Sequence, residues 1–326
     1  MRHNRLRVFI GLLLGCALAV AVFATQDFHS ILAATRLVGG GLVWVVLWRF
    51  VAVILLALGW RQLFDASDRP SMLGAFLARW VGESVNTLLP VAQVGGEIVR
   101  GRLIMRWLGD VGRAVALSIV VGTIIVDMTL NLSGQFALAL AGAWQVWRVA
   151  NRGVLEIAVA CLAALLPLAL LAIAQQPAVL ARAHRGFGRL TGKGQDAGGA
   201  VEFSMAVRAV YARSVDFLKA LAFHLLSAFT RALETWIVLR MMGTPIGVMD
   251  AVMIEGLAGA FRTAAFLLPG GLGVQEGALL VVSGWIGVPP AQALALALIK
   301  RAREILVGGG GLLAWPVLER AMRRQA

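Results

Sequence analysis

The sequence has little of what active-site chemistry needs. Its 326 residues include two cysteines and four histidines. Cys16 and Cys161 lie far apart inside apolar runs, which leaves no disulfide framework and no metal-ligand spacing; they read as small buried residues. His-Glu-x-x-His, Gly-x4-Gly-Lys-Ser/Thr and Gly-x-Ser-x-Gly are all missing, so metallopeptidase, phosphate-loop and serine-hydrolase chemistry have no anchor. The expectation is no enzymatic activity, no cofactor and no metal. Charge is scarce as well, at 14%, and acidic residues are scarcest: 17 Asp+Glu against 30 Lys+Arg, a net charge of +13. In a soluble protein that surplus would point to nucleic acid, but no recognition module accompanies it.

What is present is apolar. Hydrophobic residues make up 60% of the chain and the mean hydropathy is +0.83. That is too apolar to wrap around one soluble core, and an all-α polytopic membrane protein is the class that fits. The basic residues gather at the ends of apolar runs, where orientation in a membrane is written.

The runs predict about six crossings in a single integral membrane domain. Arg2, Arg5 and Arg7 precede a first span over 8–24, which places the N-terminus in the cytoplasm; no convincing small-x-small site follows, so the span is read as uncleaved. Positions 25–41 form a short, mildly amphipathic outer connection. A second span, 42–60, carries Arg49 and ends at Arg61 and Arg69. The run from Met72 to Pro90 is long enough to cross, yet Arg100, Arg102, Arg106 and Arg113 follow it as the densest short basic cluster. Those four are expected beside Arg61 and Arg69, so 72–99 reads as a re-entrant hairpin broken at Pro90. Such backbone is tolerated only when buried in protein or lining a wet cavity.

A third span over 114–142 carries Asp127, and a fourth covers 154–174. Positions 175–214 form the long polar cytoplasmic connection, and 215–240 is the fifth span. A second hairpin, from 249, enters from outside, breaks at Pro269 and emerges near Gly287–Pro290. The last span, 291–316, ends inside at Arg320, Arg323 and Arg324. By this topology about 18 basic residues lie inside and about 4 outside, with both termini cytoplasmic.

The two breaks are related. Leu267-Leu268-Pro269-Gly270-Gly271-Leu272-Gly273-Val274-Gln275-Glu276 meets Leu88-Leu89-Pro90-Val91-Ala92-Gln93-Val94-Gly95-Gly96-Glu97 with Leu-Leu-Pro and Glu in register. The segments face opposite ways in the predicted topology. That suggests an inverted repeat, 42–142 and 215–316, with a site near the midplane where the breaks meet. Two unrelated Pro-Gly kinks are the plainer alternative.

Several charges fall at depths where lipid is expected, each costing about 2.5–3.5 kcal/mol on insertion scales. Lys300, Arg301, Arg303 and Glu304 crowd the last span, with Asp127 at the matching depth. Arg79 and Glu83 lie one turn apart, Glu255 and Arg262 share the second hairpin, and Arg231–Glu234 and Arg301–Glu304 are i,i+3 pairs. They read either as internal salt bridges or, where several share a depth, as lining for water or a polar ligand. Glu97 and Glu276, seven residues after their prolines and beside glycines, are the sharpest candidates; each could take a proton, hold a cation or pair with an arginine. Asn86, Thr87 and Gln93 offer hydrogen bonds to a substrate or to backbone freed at Pro90 and Pro269. His224 stands alone and reads as a satisfied histidine. Gly308–Gly311 reads as close helix packing or a hinge.

Pro269-Gly-Gly-Leu-Gly-Val-Gln-Glu276-Gly resembles the signature of the lysylphosphatidylglycerol synthase transmembrane-region family, a flippase-like membrane domain. Glu83-Ser-Val-Asn-Thr-Leu-Leu-Pro-Val-Ala-Gln-Val-Gly-Gly-Glu97-Ile-Val resembles its hopanoid-biosynthesis-associated, HpnL-like branch. The resemblance covers nearly the whole chain. It implies an inner-membrane protein that moves or handles a polar-headed lipid. The synthase domain attached to better-understood relatives is not in this sequence, so lipid aminoacylation is not carried over. The expected substrate is a membrane lipid, anionic or hopanoid, with lipid-biosynthetic enzymes as further partners. A non-transporting scaffold for such enzymes, or a carrier of small solutes, is the alternative.

Overall fold

The computed structural model describes residues 27–89, 95–107, 113–148, 197–264 and 273–323, with positions 20, 158, 162, 165, 169 and 173. Every regular element among them is helical. In chain order they are α1 (Phe28–Val38), α2 (Leu42–Gln62), α3 (Met72–Leu88), α4 (Gly95–Trp107), α5 (Arg113–Arg148), α6 (Ala197–Ala212), α7 (Ser214–Met241), α8 (Val248–Ala264), α9 (Val274–Gly284) and α10 (Pro290–Arg323).

Local chemistry sets several of the ends. Asp27 caps α1, its carboxylate accepting from the backbone N–H groups of His29 and Ser30 at 3.1 Å. Ser71 caps α3 through Gly74 N–H at 3.0 Å. Helices α3 and α4 then pack side by side, as do α8 and α9, so each expected hairpin contributes two helical arms. Residues 90–94 and 265–272, which hold Pro90, Gln93, Pro269, Gly270 and Gly271, lie outside the described residues.

Several expected boundaries move. The outer connection over 25–41 is largely helix: α1 runs through a single 3-10 turn, Gly39–Gly41, into α2. Helix α5 extends past 142 to Arg148, and α10 continues beyond Pro316 to Arg323, about 51 Å at 1.5 Å per residue. The segment expected as a polar loop over 175–214 contains α6, which lies against α5 with Ala206 and Val207 beside Gly122 and Val210 in the core. A polar average concealed one apolar helical face.

Phe28–Gln62 and Leu117–Arg148 are long and apolar enough to cross a membrane by length and composition. Helices α7 and α10 match them in length but carry ionic groups mid-helix. The expected spans over 8–24 and 154–174 lie outside the described residues, apart from single positions.

Among the described residues, packing gathers into two large apolar cores and a small cluster of Leu138, Ala232 and Val252. One gathers Ala139, Val146, Val238, Leu239, most of the buried residues of α8 and the first part of α10. The other gathers Trp60, Leu63, Phe64, the first part of α5, Val210 of α6 and Ala220 of α7, with Trp315 and Leu318 against it. Helices α5, α7 and α10 therefore run from one core to the other. Their charged positions fall between the cores. Packing also pairs helices across the chain: α2 lies on α7, α5 on α8, and α3 on α10.

The α5–α8 crossing is closed by Gly256, where a Cβ would meet the backbone carbonyl of Leu138. Gly256→Ala is expected to destabilise the protein by about 1–3 kcal/mol through overpacking. Gly309→Ala adds its methyl to open space in α10 and should stabilise by about 0.5–1 kcal/mol. Thermal unfolding of both variants in detergent checks the opposite signs.

Candidate functional site

The first ionic network centres on Asp127 of α5, which is 1% exposed. Its Oδ2 accepts from Arg79 Nη1 of α3 at 2.5 Å and from Arg100 Nη2 of α4 at 2.7 Å. Its Oδ1 meets His224 Nε2 of α7 at 2.9 Å, and His224 Nδ1 lies 2.8 Å from the Ala220 carbonyl. Both ring nitrogens of the buried His224 thus face oxygen acceptors. Arg79 Nε continues to Glu83 Oε1 at 3.1 Å, and Glu83 Oε2 accepts from Arg49 Nη2 of α2 at 2.9 Å. Arg100 also binds Glu97 and lies over the Trp60 ring, 4.4 Å from its centroid.

The second network joins α7, α8, α9 and α10. Glu255 accepts from Lys300 and from Thr235 Oγ1 at 3.0 Å. Glu304 meets Arg301 at 2.9 Å, Arg262 at 3.2 Å and Arg303 at 3.5 Å. Arg303 reaches Glu234 at 3.3 Å. Arg301 Nε donates to Glu276 Oε1 at 2.9 Å.

Glu97 and Glu276 occupy like positions, each in the first turn of its hairpin's second arm, where the helix dipole favours a carboxylate. Glu97 Oε1 accepts from Asn86 Nδ2 at 3.2 Å, and Asn86 Oδ1 accepts Gly96 N–H at 2.7 Å. Asn86 therefore satisfies a backbone donor at the start of α4, where Gly96 lies against the Gly82 carbonyl. Glu276 Oε2 accepts Gly273 N–H at 2.7 Å, and Gly273 has φ of 77°, a conformation that favours glycine.

Between the networks lies a cavity of about 300 Å³. Arg79, Glu83, Asn86 and Glu97 line it from the first hairpin; Arg262, Arg303 and Glu304 line it from the second hairpin and α10. Asp127, Arg301 and Glu276 are not in its wall and act on the residues that are. Gly95 opens α4 next to Gly96. Among the described residues no His, Cys, Asp or Glu cluster is arranged to hold a metal. A charged cavity between two apolar cores suits a polar group entering an apolar protein.

The model of the lysylphosphatidylglycerol synthase TM region matches residues 8–309. The chain belongs to that family. No curated protein and no solved structure matches it. As an all-α member of a membrane-protein family, this lysylphosphatidylglycerol synthase TM region chain resides in a membrane, and its buried charges must be read against lipid.

In that setting two expectations change. Arg100 was grouped with Arg102, Arg106 and Arg113 as a cytoplasmic basic cluster; it is 1% exposed and bound to Asp127 and Glu97. Arg231 and Glu234 do not pair with each other. Arg231 donates to Gln135 at 3.1 Å and lies 3.9 Å from Glu255, while Glu234 turns to Arg303. Glu255 and Arg262, placed together on the second hairpin, meet Lys300 and Glu304. Arg301–Glu304 and Arg79–Glu83 do pair within their helices. Gln135 is a cavity residue that sequence reasoning did not single out, and Arg49 and Arg231, noted there only as charges within spans, line the cavity too. A polar side chain at i+8 from Asp127 was the available signal for Gln135. Gly308, Gly310 and Gly311 do pack closely, against Leu88, Trp80 and Ser84 of α3.

Asp127→Asn leaves Arg79 and Arg100 without their shared carboxylate. The loss expected for breaking a buried pair is about 3–5 kcal/mol, read as a lowered unfolding temperature in detergent.

Proposed function

We propose that this protein translocates a lipid or lipid-linked amphiphile across the bacterial inner membrane, as a carrier with no covalent chemistry of its own. The observation that carries the reading is the ion-lined cavity held between two apolar cores in a membrane-family chain. Charges at that depth are costly and mark a pathway for something polar. At about 300 Å³ the cavity is at the small end of ligand sites. It suits a headgroup whose apolar tails remain in lipid.

The helix packing supports an inverted repeat. Exchanging α2 with α7, α3 with α8, α4 with α9 and α5 with α10 turns the α5–α8 contact into the α10–α3 contact and leaves α2–α7 as it is. Both break-bearing hairpins border the cavity, Glu97 lining it directly and Glu276 acting through Arg301. Alternating exposure would then follow from rocking one repeat against the other around the cavity. We further infer that both termini are cytoplasmic. The second motif aligns the chain with the hopanoid-associated branch, with lipid-biosynthetic enzymes as partners.

Glu97→Gln together with Glu276→Gln is expected to abolish transbilayer movement of a fluorescent phospholipid in proteoliposomes. Unchanged rates remove both carboxylates from the mechanism and favour the scaffold alternative.

A further inference from the structure

His224 of α7 and Asp127 of α5 meet away from the cavity, buried and outside its wall. The imidazole sits where α2, α5 and α7 come together. Gly59 of α2 makes room for the ring, since a Cβ there would lie 2.7 Å from Nδ1. On the other side α5 approaches through Gly134, whose Cβ would lie 3.1 Å from the His224 carbonyl oxygen.

Each ring nitrogen faces an oxygen: Nε2 lies 2.9 Å from Asp127 Oδ1, and Nδ1 lies 2.8 Å from the Ala220 carbonyl. A carbonyl only accepts, and so does a carboxylate. A neutral imidazole has a single N–H, which would leave one oxygen against a ring lone pair. The pair therefore holds one proton more than a neutral ring beside a carboxylate. Arg79 and Arg100 both donate to Asp127 Oδ2, which places that proton on the ring and makes His224 an imidazolium.

The proton comes with opposing costs. Without it the first network already balances, Arg49, Arg79 and Arg100 against Glu83, Glu97 and Asp127. With it one positive charge is left over at membrane depth. Losing it leaves a hydrogen bond between buried groups unmade. Costs on both sides suit an exchangeable proton, and imidazole ordinarily titrates between about pH 5 and 8. The charges that face His224 are Asp127 and, through it, Arg79 of α3 and Arg100 of α4. On α2, Arg49 turns to Glu83 and Arg61 to the Pro70 carbonyl. Asp216 and Lys219, earlier on α7, sit with Arg69. Arg231 and Glu234 of α7 bond with Gln135 and Arg303, and Glu255, Arg262, Lys300, Arg301 and Glu304 stay in the second network.

We propose that the His224–Asp127 pair is a proton-binding site, loaded in this conformation, whose release of the proton loosens α7 from α5. Asp127 holds Arg79 and Arg100 within the first repeat, whereas His224 belongs to the second. The contact thus crosses the boundary on which the repeats would rock, and proton exchange drives that rocking. Arg79 links the site to the cavity wall, and Asn131 lines that wall one helical turn after Asp127. On release one ring N–H gives its proton to water, and the ring becomes neutral. The site rests on the translocation reading only for what the proton drives.

The test uses the full chain with His3→Gln, His29→Gln and His184→Gln, which leaves His224 as the single imidazole. Nitrogen-15 NMR of the ring in detergent separates imidazolium from either neutral tautomer. Both nitrogens are expected to carry protons at about pH 6, and only one at about pH 9. A ring that stays neutral, or one that stays charged, across that range overturns the proposal. In proteoliposomes the rate of fluorescent phospholipid movement should follow the same titration and change severalfold under an imposed pH difference. A protonophore should cancel the second effect. Movement indifferent to pH and to the gradient refutes proton coupling alone. A titrating ring without any transbilayer movement refutes the transport reading alone.

Discussion

Charge inside an apolar medium must be matched, and that requirement organises the molecule. Between two apolar cores, α5, α7 and α10 pass through a layer in which nearly every ionic side chain meets one of opposite sign. Asp127 alone joins α3, α4, α5 and α7. In lipid, apolar side chains gain little by leaving one apolar environment for another, so packing and polar contacts hold helices together. Removing one partner of such a buried pair is far more disruptive than the pair is stabilising. The layer therefore fixes which helices meet and at what height, while the cores fill the space above and below.

The backbone makes that layer reachable. Each hairpin restarts as a helix beside a glycine and places a carboxylate in its first turn, where unpaired N–H groups favour negative charge. Gly96 allows α4 to close on α3 at Gly82, and Asn86 occupies the donor that the break releases. At the second hairpin Gly273 has a positive φ and donates its N–H to Glu276. Equivalent carboxylates end with different roles. Glu97 faces the cavity, and Glu276 holds Arg301 from behind.

Much of this was legible along the chain. Apolar run lengths gave the helices α2 and α7 to within about two residues, and α5 apart from its last turns. Pro90 marked where α3 ends, and the depth of Asp127, Arg79, Arg303 and Glu304 marked the layer. Arg100 was misread because four arginines close in sequence look like a surface cluster; α4 carries Arg100 inward and leaves Arg102 exposed. Arg231 and Glu234 were misread for a related reason. An i,i+3 spacing brings side chains near one another, but partners on α5, α8 and α10 compete for the same groups. Helix α6 was hidden because an averaged polar stretch says nothing about a single apolar face.

The sequence by itself determined that this chain is helical and membrane-borne and which charges share a depth. Those properties are local: hydropathy sums along the chain, and rise per residue converts position into height. Only the tertiary structure decided who pairs with whom. Pairing depends on which helix faces meet, and that is settled by contacts between residues such as Arg79 and Asp127, or Arg231 and Gln135, 48 and 96 positions apart.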